Sequence, residues 1–165
     1  MNAIDFIKIS LESGKGWVGG IIADMKDAPL TRPTPNGGNH PMWILGHLTY
    51  SEANLVNQFC QSKESPLADW SEVFGMGAEP SDDASKYPPF EEVLAKFEET
   101  RAATLAYLDT LTDDDLDKPS HAPEEMQAFF GTIGHCLKAV VMHYMFHGGQ
   151  AADARRAAGR PPLMA

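Results

Sequence analysis

Two histidines four residues apart carry the clearest chemical signal in this sequence. His143 and His147 stand in a segment whose apolar residues recur at intervals of three and four, the spacing of an amphipathic helix. Residues four apart on a helix share a face, with Cβ atoms about 5–6 Å apart, so two imidazoles there can bind one metal ion. A buried histidine pair can also be held by hydrogen bonds alone. The spacing therefore permits a metal site without requiring one.

A third imidazole is available on an earlier segment of helical spacing. If the two helices pack together, His47 would complete a three-histidine site that leaves coordination positions for water or substrate. The aliphatic residues of the earlier helix, however, lie on nearly the opposite face from His47. His47 therefore either faces solvent or lies on a helix that is covered on both sides.

The three remaining histidines are poorly placed for the same ion. His40 precedes His47 by seven residues, about 10.5 Å along a helix axis, and is placed to cap that helix. His135 lies about 120° around the helix from His147, and His121 lies among prolines in a connection. We interpret His40, His121 and His135 as surface residues.

The residues beside the histidine pair distinguish it from the zinc proteases. Tyr144 stands where their H-E-x-x-H motif has glutamate, so the general base of that motif is absent. Gln150, three residues after His147, is placed to orient a metal ligand or a bound water, although it could equally be a surface amide. The sequence assigns no catalytic residue.

Two oppositely charged residues fall on apolar helix faces. Arg101 lies within the apolar stripe of one helical segment, and Glu52 lies on the aliphatic line of another. A buried guanidinium needs a partner, and Glu52 is the candidate. The two form a structural ion pair, or Arg101 extends its head group outward to solvent, or it binds a substrate carboxylate in a cavity.

Four long helices must position these residues. Apolar periodicity predicts them at about 3–26, 39–61, 90–111 and 123–159, and no alternating strand pattern competes. A connection over residues 62–89 separates the second helix from the third. A connection of this length can return along a bundle and let those two helices run parallel. The sequence predicts one all-α domain over residues 1–165.

Composition restricts the partners and the compartment. The chain has 23 Asp and Glu against 13 Lys and Arg, and a formal charge of -10 repels phosphate backbones and anionic membrane surfaces. It has neither a signal-peptide core nor the run of about 18 apolar residues that spans a membrane. Cys60 and Cys136 are too few for a disulfide framework, so we predict reduced, buried thiols. We expect a cytoplasmic protein that acts on a small molecule and binds neither nucleic acid nor membrane.

The order and spacing of these segments resemble the DinB-like family. The resemblance rests on the segment WILGHL at 43–48, on residues 70–74 and 87–88 of the long connection, and above all on HYMFHGGQAADARRAAGRP at 143–161. It covers nearly the whole chain. Gly148 stands where many relatives carry arginine, which removes a cationic group from that position.

The resemblance implies a fold, a metal site and an activity. It implies a four-helix bundle of up-down-down-up topology, with a divalent metal held by His47, His143 and His147. The family includes S-transferases that use low-molecular-weight thiols such as bacillithiol or mycothiol, so a thiol-dependent S-transferase is our first expectation. A metal-dependent hydrolase and a non-catalytic metal- or ligand-binding bundle are the alternatives. Zn or Ni is the first metal expected, with Fe, Mn and Cu open, and we also expect a homodimer.

Overall fold

The computed structural model describes residues 1–35, 37–161 and 163, and its regular secondary structure is helical. The α-helices are α1 (Ala3–Ala23), α2 (Pro41–Asn54), α3 (Ser71–Phe74), α4 (Phe90–Leu108), α5 (Gln127–Phe130) and α6 (Ile133–Ala157). A π-helix follows α2 at Leu55–Cys60, and short 3-10 turns lie at Ala68–Trp70, Ala84–Lys86, Asp113–Asp117 and Glu124–Met126. The described residues form no strand, so the prediction of an all-α chain is confirmed.

The long helices share one apolar core. α1 packs along α6, and α2 packs against both α4 and α6. Burying one large aliphatic or aromatic side chain contributes about 1.5–3 kcal/mol to stability. The side chains that are almost completely buried here are Leu11, Val18, Ile22, Ile44, Leu45, Leu48, Phe74, Val93, Phe97, Leu108, Leu137 and Val140. Cys60 and Cys136 are both free and buried, as predicted. Within the described ranges, no helix is both long enough and apolar enough to cross a bilayer.

The first half of α2 is buried on every face. All residues from 41 to 49 are buried, because α4 and α6 pack on this helix and the long connection covers it through Trp70 and Phe74. Phe74 can lie against the backbone of α2 because residue 46 is glycine: a Cβ at Gly46 would come within 2.1 Å of the Phe74 ring. His47 is 9% exposed, so it does not face solvent. It lies on a helix that is covered on both sides, which was the other placement predicted for it.

The second predicted helix changes its hydrogen-bonding pattern part-way. The chain is helical to Gln61, as the predicted helix over 39–61 required, but Leu55–Cys60 is a π-helix rather than an α-helix. Side-chain amides bond the carbonyls at this transition: Asn57 Nδ2 donates to Ala53 O at 2.8 Å, and Gln61 Nε2 donates to Val56 O at 3.3 Å. π-helical turns of this kind often lie beside functional sites.

The last predicted helix begins later than its apolar spacing indicated. Residues 123–132 form a 3-10 turn and the short α5, and α6 starts only at Ile133. Thr132 has extended backbone and caps α6 by accepting a hydrogen bond from the amide of His135 at 3.1 Å. The predicted end is confirmed, because Gly159 adopts a φ of 78° just past the last turn.

His40 caps α2 but is not a surface residue. Its Nδ1 accepts a hydrogen bond from the amide of Trp43 at 3.1 Å, as the capping prediction required. Its Nε2–H donates to the carbonyl of Ser81 at 2.9 Å and lies 3.2 Å from the Tyr87 hydroxyl, and the side chain is buried. The surface interpretation is therefore wrong for His40, because the long connection folds back over it. It is confirmed for His121 and His135, which are exposed.

We expect His40 to make stability depend on pH. Burial lowers the pKa of His40 below 6.5, more than its contact with Ser81 raises it. The unfolded chain then binds this proton more tightly, so the free energy of unfolding falls as the pH drops below about 6.5.

In His40→Asn, the new side chain can still cap α2 but cannot titrate or reach Ser81. Urea unfolding of metal-free protein should show a loss of about 1 kcal/mol at neutral pH and a smaller fall in stability between pH 7 and 5. His135→Asn is the exposed control; equal pH dependence in wild type and His40→Asn would contradict the role of His40.

Candidate metal centre

Three histidines from two helices meet at one point. His47 lies on α2, and His143 and His147 lie one turn apart on α6. His143 Nε2 is 3.1 Å from His47 Nε2 and 3.0 Å from His147 Nε2. The structure thus brings together all three residues that the sequence indicated as metal ligands.

The His47 ring is fixed by the long connection and by its own helix. Its Nδ1–H donates a hydrogen bond to the backbone carbonyl of Phe74 at 2.7 Å. The indole of Trp43, one turn earlier, stacks on the ring with centroids 4.3 Å apart and planes at 11°. We assign the Nδ1–H tautomer from the acceptor that it meets, which leaves a lone pair on Nε2.

The His147 ring is fixed by two side-chain amides. Its Nδ1–H donates to Gln150 Oε1 at 2.7 Å. Asn39 Nδ2 donates to the same oxygen at 3.0 Å, so the Gln150 amide is held with its oxygen toward the histidine. Gln150 therefore orients the histidine, which is one of the two roles considered for it. The Nε2 of His147 is left, like that of His47, as a free acceptor.

This donor set fits a divalent metal ion. His143 Nε2 can carry one proton and can donate it to only one of its two neighbours, so at least one of these close nitrogen–nitrogen contacts is not a hydrogen bond. A cation at the meeting point interacts favourably with all three nitrogens. Ligand nitrogens about 2.0–2.1 Å from a tetrahedral zinc lie about 3.3–3.4 Å apart, within a few tenths of an ångström of the separations here.

Burial keeps the three imidazoles in the neutral form that binds metals. It lowers the pKa of His143 to about 3, with further lowering by its two histidine neighbours. It also lowers the pKa of His147 to about 4, although the hydrogen bond to Gln150 acts in the opposite direction. The pKa of His47 is lowered by burial as well, more than its bond to the Phe74 carbonyl raises it. No proton has to be displaced from these rings at neutral pH.

A cleft of about 750 Å³ gives a small molecule access to this centre. His47 and His143 stand in its wall, and the rest of the wall is largely apolar. Its volume is in the range of small-molecule sites. The other lining residues are Tyr50, Ser51, Asn54, Leu55, Gln58, Phe59, Met76, Met126, Phe129, Phe130, Lys138, Ala139, Met142 and Phe146.

Glu52 and Arg101 lie in the core and do not line this cleft. Arg101 Nε and Nη2 donate to the two carboxylate oxygens of Glu52 at 2.9 and 2.7 Å, and both residues are almost completely buried. Burial alone would lower the pKa of Arg101, but the Glu52 carboxylate and Tyr144 together outweigh it, so that pKa is raised. Tyr144 completes the group by donating its hydroxyl to Glu52 at 2.7 Å. The arrangement favours the structural ion pair over binding of a substrate carboxylate.

Two groups that orient the histidines were not found from the sequence. The carbonyl of Phe74 belongs to the backbone, and since every residue has one, no residue type could have indicated its role. Asn39 lies 111 residues from Gln150 in the chain, and only the packing of α6 beside the start of α2 brings them together. The glycine before His47 was the one available signal, since it marks where another backbone or ring approaches closely.

Comparison with known proteins shows the family and the fold of this chain. The model of the DinB superfamily matches residues 20–151, a span that contains the three histidines, Asn39 and Gln150. The chain belongs to the DinB superfamily. No curated protein matches it. Among solved structures, this DinB-superfamily chain is similar to one described as the conserved protein of locus from Enterococcus faecalis, with a TM-score of 0.74 and 16% identity over 96% of this chain and 98% of the other. That likeness shows a shared fold.

We expect Gln150 to tune the affinity for metal. Gln150→Leu removes the acceptor of the His147 Nδ1–H, so the ring is no longer oriented and metal affinity should fall about 10–100-fold. Gln150→Glu keeps an acceptor for the His147 Nδ1–H and should therefore bind the metal clearly more tightly than Gln150→Leu. Competition with a chromophoric chelator measures both. Gln58→Leu, which alters an amide elsewhere in the cleft wall, is the matched control. Unchanged affinity in Gln150→Leu would contradict the orienting role.

Proposed function

We propose that this protein is a metal-dependent enzyme that adds a small thiol to an electrophilic substrate. The observation that carries the proposal is the convergence of three neutral imidazole nitrogens beside an open, largely apolar cleft, with His47 and His143 in its wall. His47, His143 and His147 would hold the ion, with Zn or Ni as the first candidates. Structural zinc sites are closed by four protein ligands, whereas catalytic sites keep a position open for a reactant. An open cleft beside three ligands supports catalysis over a purely structural site.

Thiol chemistry suits this cleft better than hydrolysis. A divalent metal lowers the pKa of a thiol or a water in its reach and so supplies a nucleophile at neutral pH. None of the described residues lining the cleft is a carboxylate, so water has no evident general base there. A thiol starts from a pKa of about 8.5 and needs less assistance. Hydrolysis therefore remains the second candidate.

The chain contributes orientation and an apolar environment to this reaction. The backbone carbonyl of Phe74 and the amide of Gln150 hold two histidine rings, and the aromatic and methionine side chains of the cleft exclude water from the electrophile. In the addition, sulfur forms a bond to carbon and the electron pair of the electrophile's double bond moves to the adjacent atom. That atom takes up a proton from solvent, which balances the proton released by the thiol.

We also propose that α1, α2, α4 and α6 form an up-down-down-up four-helix bundle. Two contacts support parallel α1 and α6: Gly14 lies beside Tyr144, and Asp24 pairs with Arg155. Parallel α2 and α4 are supported by the bond from Arg101 to Glu52 and by Tyr107, whose hydroxyl donates to the carbonyl of Cys60, eight residues after Glu52. The connection over 62–89 is long enough for the chain to return between these two helices.

X-ray absorption at the metal edge tests the thiol proposal. Metal-loaded protein should show a shell of histidine nitrogens, and titration with glutathione, bacillithiol or mycothiol should add a sulfur contribution with at least one of them at millimolar concentration. S-methylglutathione, whose sulfur cannot ionise, is the control and should add none. If no thiol contributes sulfur, S-transfer is abandoned and hydrolysis becomes the leading function.

A further inference from the structure

The cleft differs in charge from the rest of this chain. The sequence has 23 acidic residues and a formal charge of -10. None of those acidic residues is among the described residues that line the cleft, where the one charged side chain is Lys138. A divalent ion at the three histidines would add further positive charge to the same wall. The cleft is therefore a local site of attraction for anions on an otherwise anionic protein.

Lys138 is free to bind a ligand. Four other lysines are paired with carboxylates, namely Lys8, Lys15, Lys96 and Lys118. Lys138 is exposed on α6, and within the part of the chain that the structure describes no carboxylate lies within ion-pair distance of its ammonium group. Its flexible stem allows the ammonium to reach along the apolar wall.

An amide lies on the facing helix at a similar depth in the cleft. Asn54 lines the cleft, and its Nδ2–H group donates no hydrogen bond to the described residues, so it is available to a ligand. His47 of α2 contacts His143 of α6, while Phe59 of the π-helix after α2 contacts Phe130 of α5, which precedes α6, so the chain runs in opposite directions on the two sides of the cleft. Asn54 follows His47 by seven residues and Lys138 precedes His143 by five, about 10.5 and 7.5 Å along the respective axes. Both groups therefore lie on the same side of the metal centre.

We propose that the substrate of this cleft is an amphipathic anion. Its apolar, preferably aromatic body packs among Phe129, Met142 and Phe146, which are largely exposed in the absence of a ligand. Its carboxylate or sulfonate pairs with the ammonium of Lys138 and accepts a hydrogen bond from the Nδ2–H of Asn54. The reacting atom then lies about 7–10 Å from the anionic group, next to the histidines. The inference rests on the proposed function in taking this cleft as the place where substrate meets the metal.

Two fluorescent probes with the same apolar body test this inference on metal-loaded protein. 1-Anilinonaphthalene-8-sulfonate carries an anionic group, and N-phenyl-1-naphthylamine does not. Lys138→Met should weaken binding of the sulfonate about fivefold, the most that a partly exposed ion pair usually contributes, and should leave the neutral probe within about twofold. Lys138→Arg should retain selectivity. Lys26→Met, which removes the same charge from an exposed site outside the cleft, should change neither affinity. Phe129→Ala should weaken both probes, which places them in the cleft.

The outcomes separate this inference from the proposed function, because metal content is measured in each sample. Equal loss of both probes in Lys138→Met, equal affinities in wild type and Lys138→Met, or failure of the sulfonate to bind would overturn the anionic substrate while the metal centre stands. If selectivity depends on Lys138 but the purified protein retains no metal, the metal-dependent function fails and the cleft remains an anion-binding site.

Discussion

Replacing His143 or His147 with alanine should abolish tight metal binding by a protein that otherwise carries about one divalent ion per chain. His143 is the central candidate ligand, with the Nε2 atoms of both other histidines within 3.1 Å of its own. Two imidazoles cannot replace three, so affinity should fall by more than the roughly 10–100-fold expected for loss of an orienting group. Elemental analysis after gel filtration and chelator competition measure the loss.

Unfolding experiments provide an independent measurement of the same site. A metal that binds only the folded chain raises its stability by about 2.7 kcal/mol when its free concentration is one hundred times the dissociation constant. This increase should disappear in His143→Ala and His147→Ala. His135→Ala changes an exposed histidine on the same helix and should keep it. Full metal occupancy in the variant lacking both His143 and His147 would contradict the proposed centre.

The sequence predicted the long helices because their apolar periodicity is long and their ends carry local signals. His40 before Pro41 capped α2, and Gly159 ended α6. Two departures had different causes. The π-helix at Leu55–Cys60 is only six residues long, so its wider turn with i→i+5 hydrogen bonds does not repeat often enough to change the apolar spacing recognisably. The break before α6 did have a capping residue, Thr132, but apolar residues on both sides of it continued the helical spacing.

One part of the candidate site could be predicted from the spacing within one helix, and the other part depends on segments that are distant in the chain. The spacing of His143, His147 and Gln150 lies within one helix, and the structure places all three as that spacing indicated. His47 could not be decided from periodicity, because its face of α2 is covered by segments distant in the chain. The family resemblance decided in favour of His47, and the packing of the long connection over α2 explains how a polar residue opposite the aliphatic line is buried.

The buried ion pair of Glu52 and Arg101, together with Tyr144, connects α2, α4 and α6 near the candidate metal centre. Glu52 accepts hydrogen bonds from Arg101 and from the hydroxyl of Tyr144. The guanidinium also lies 4.6 Å from the centroid of the Tyr144 ring. Tyr144 is adjacent to His143 in the chain, so the pair supports the helix that carries two of the three ligands. Because desolvating two charges is costly, such a pair is sensitive to the loss of one partner.

Arg101→Met should therefore lower the free energy of unfolding by about 3–5 kcal/mol, because it leaves the Glu52 carboxylate buried without its cation. The double variant Glu52→Gln/Arg101→Met removes the stranded charge and should recover part of that loss, which urea unfolding of all four proteins in the cycle would measure. Arg156→Met, which breaks an exposed pair with Asp153, should change stability by less than about 0.5 kcal/mol. Strictly additive losses would rule out the pairing. If Arg101 served substrate binding instead, its replacement would leave stability nearly unchanged while activity fell, so stability and activity together decide between the two roles that the sequence left open.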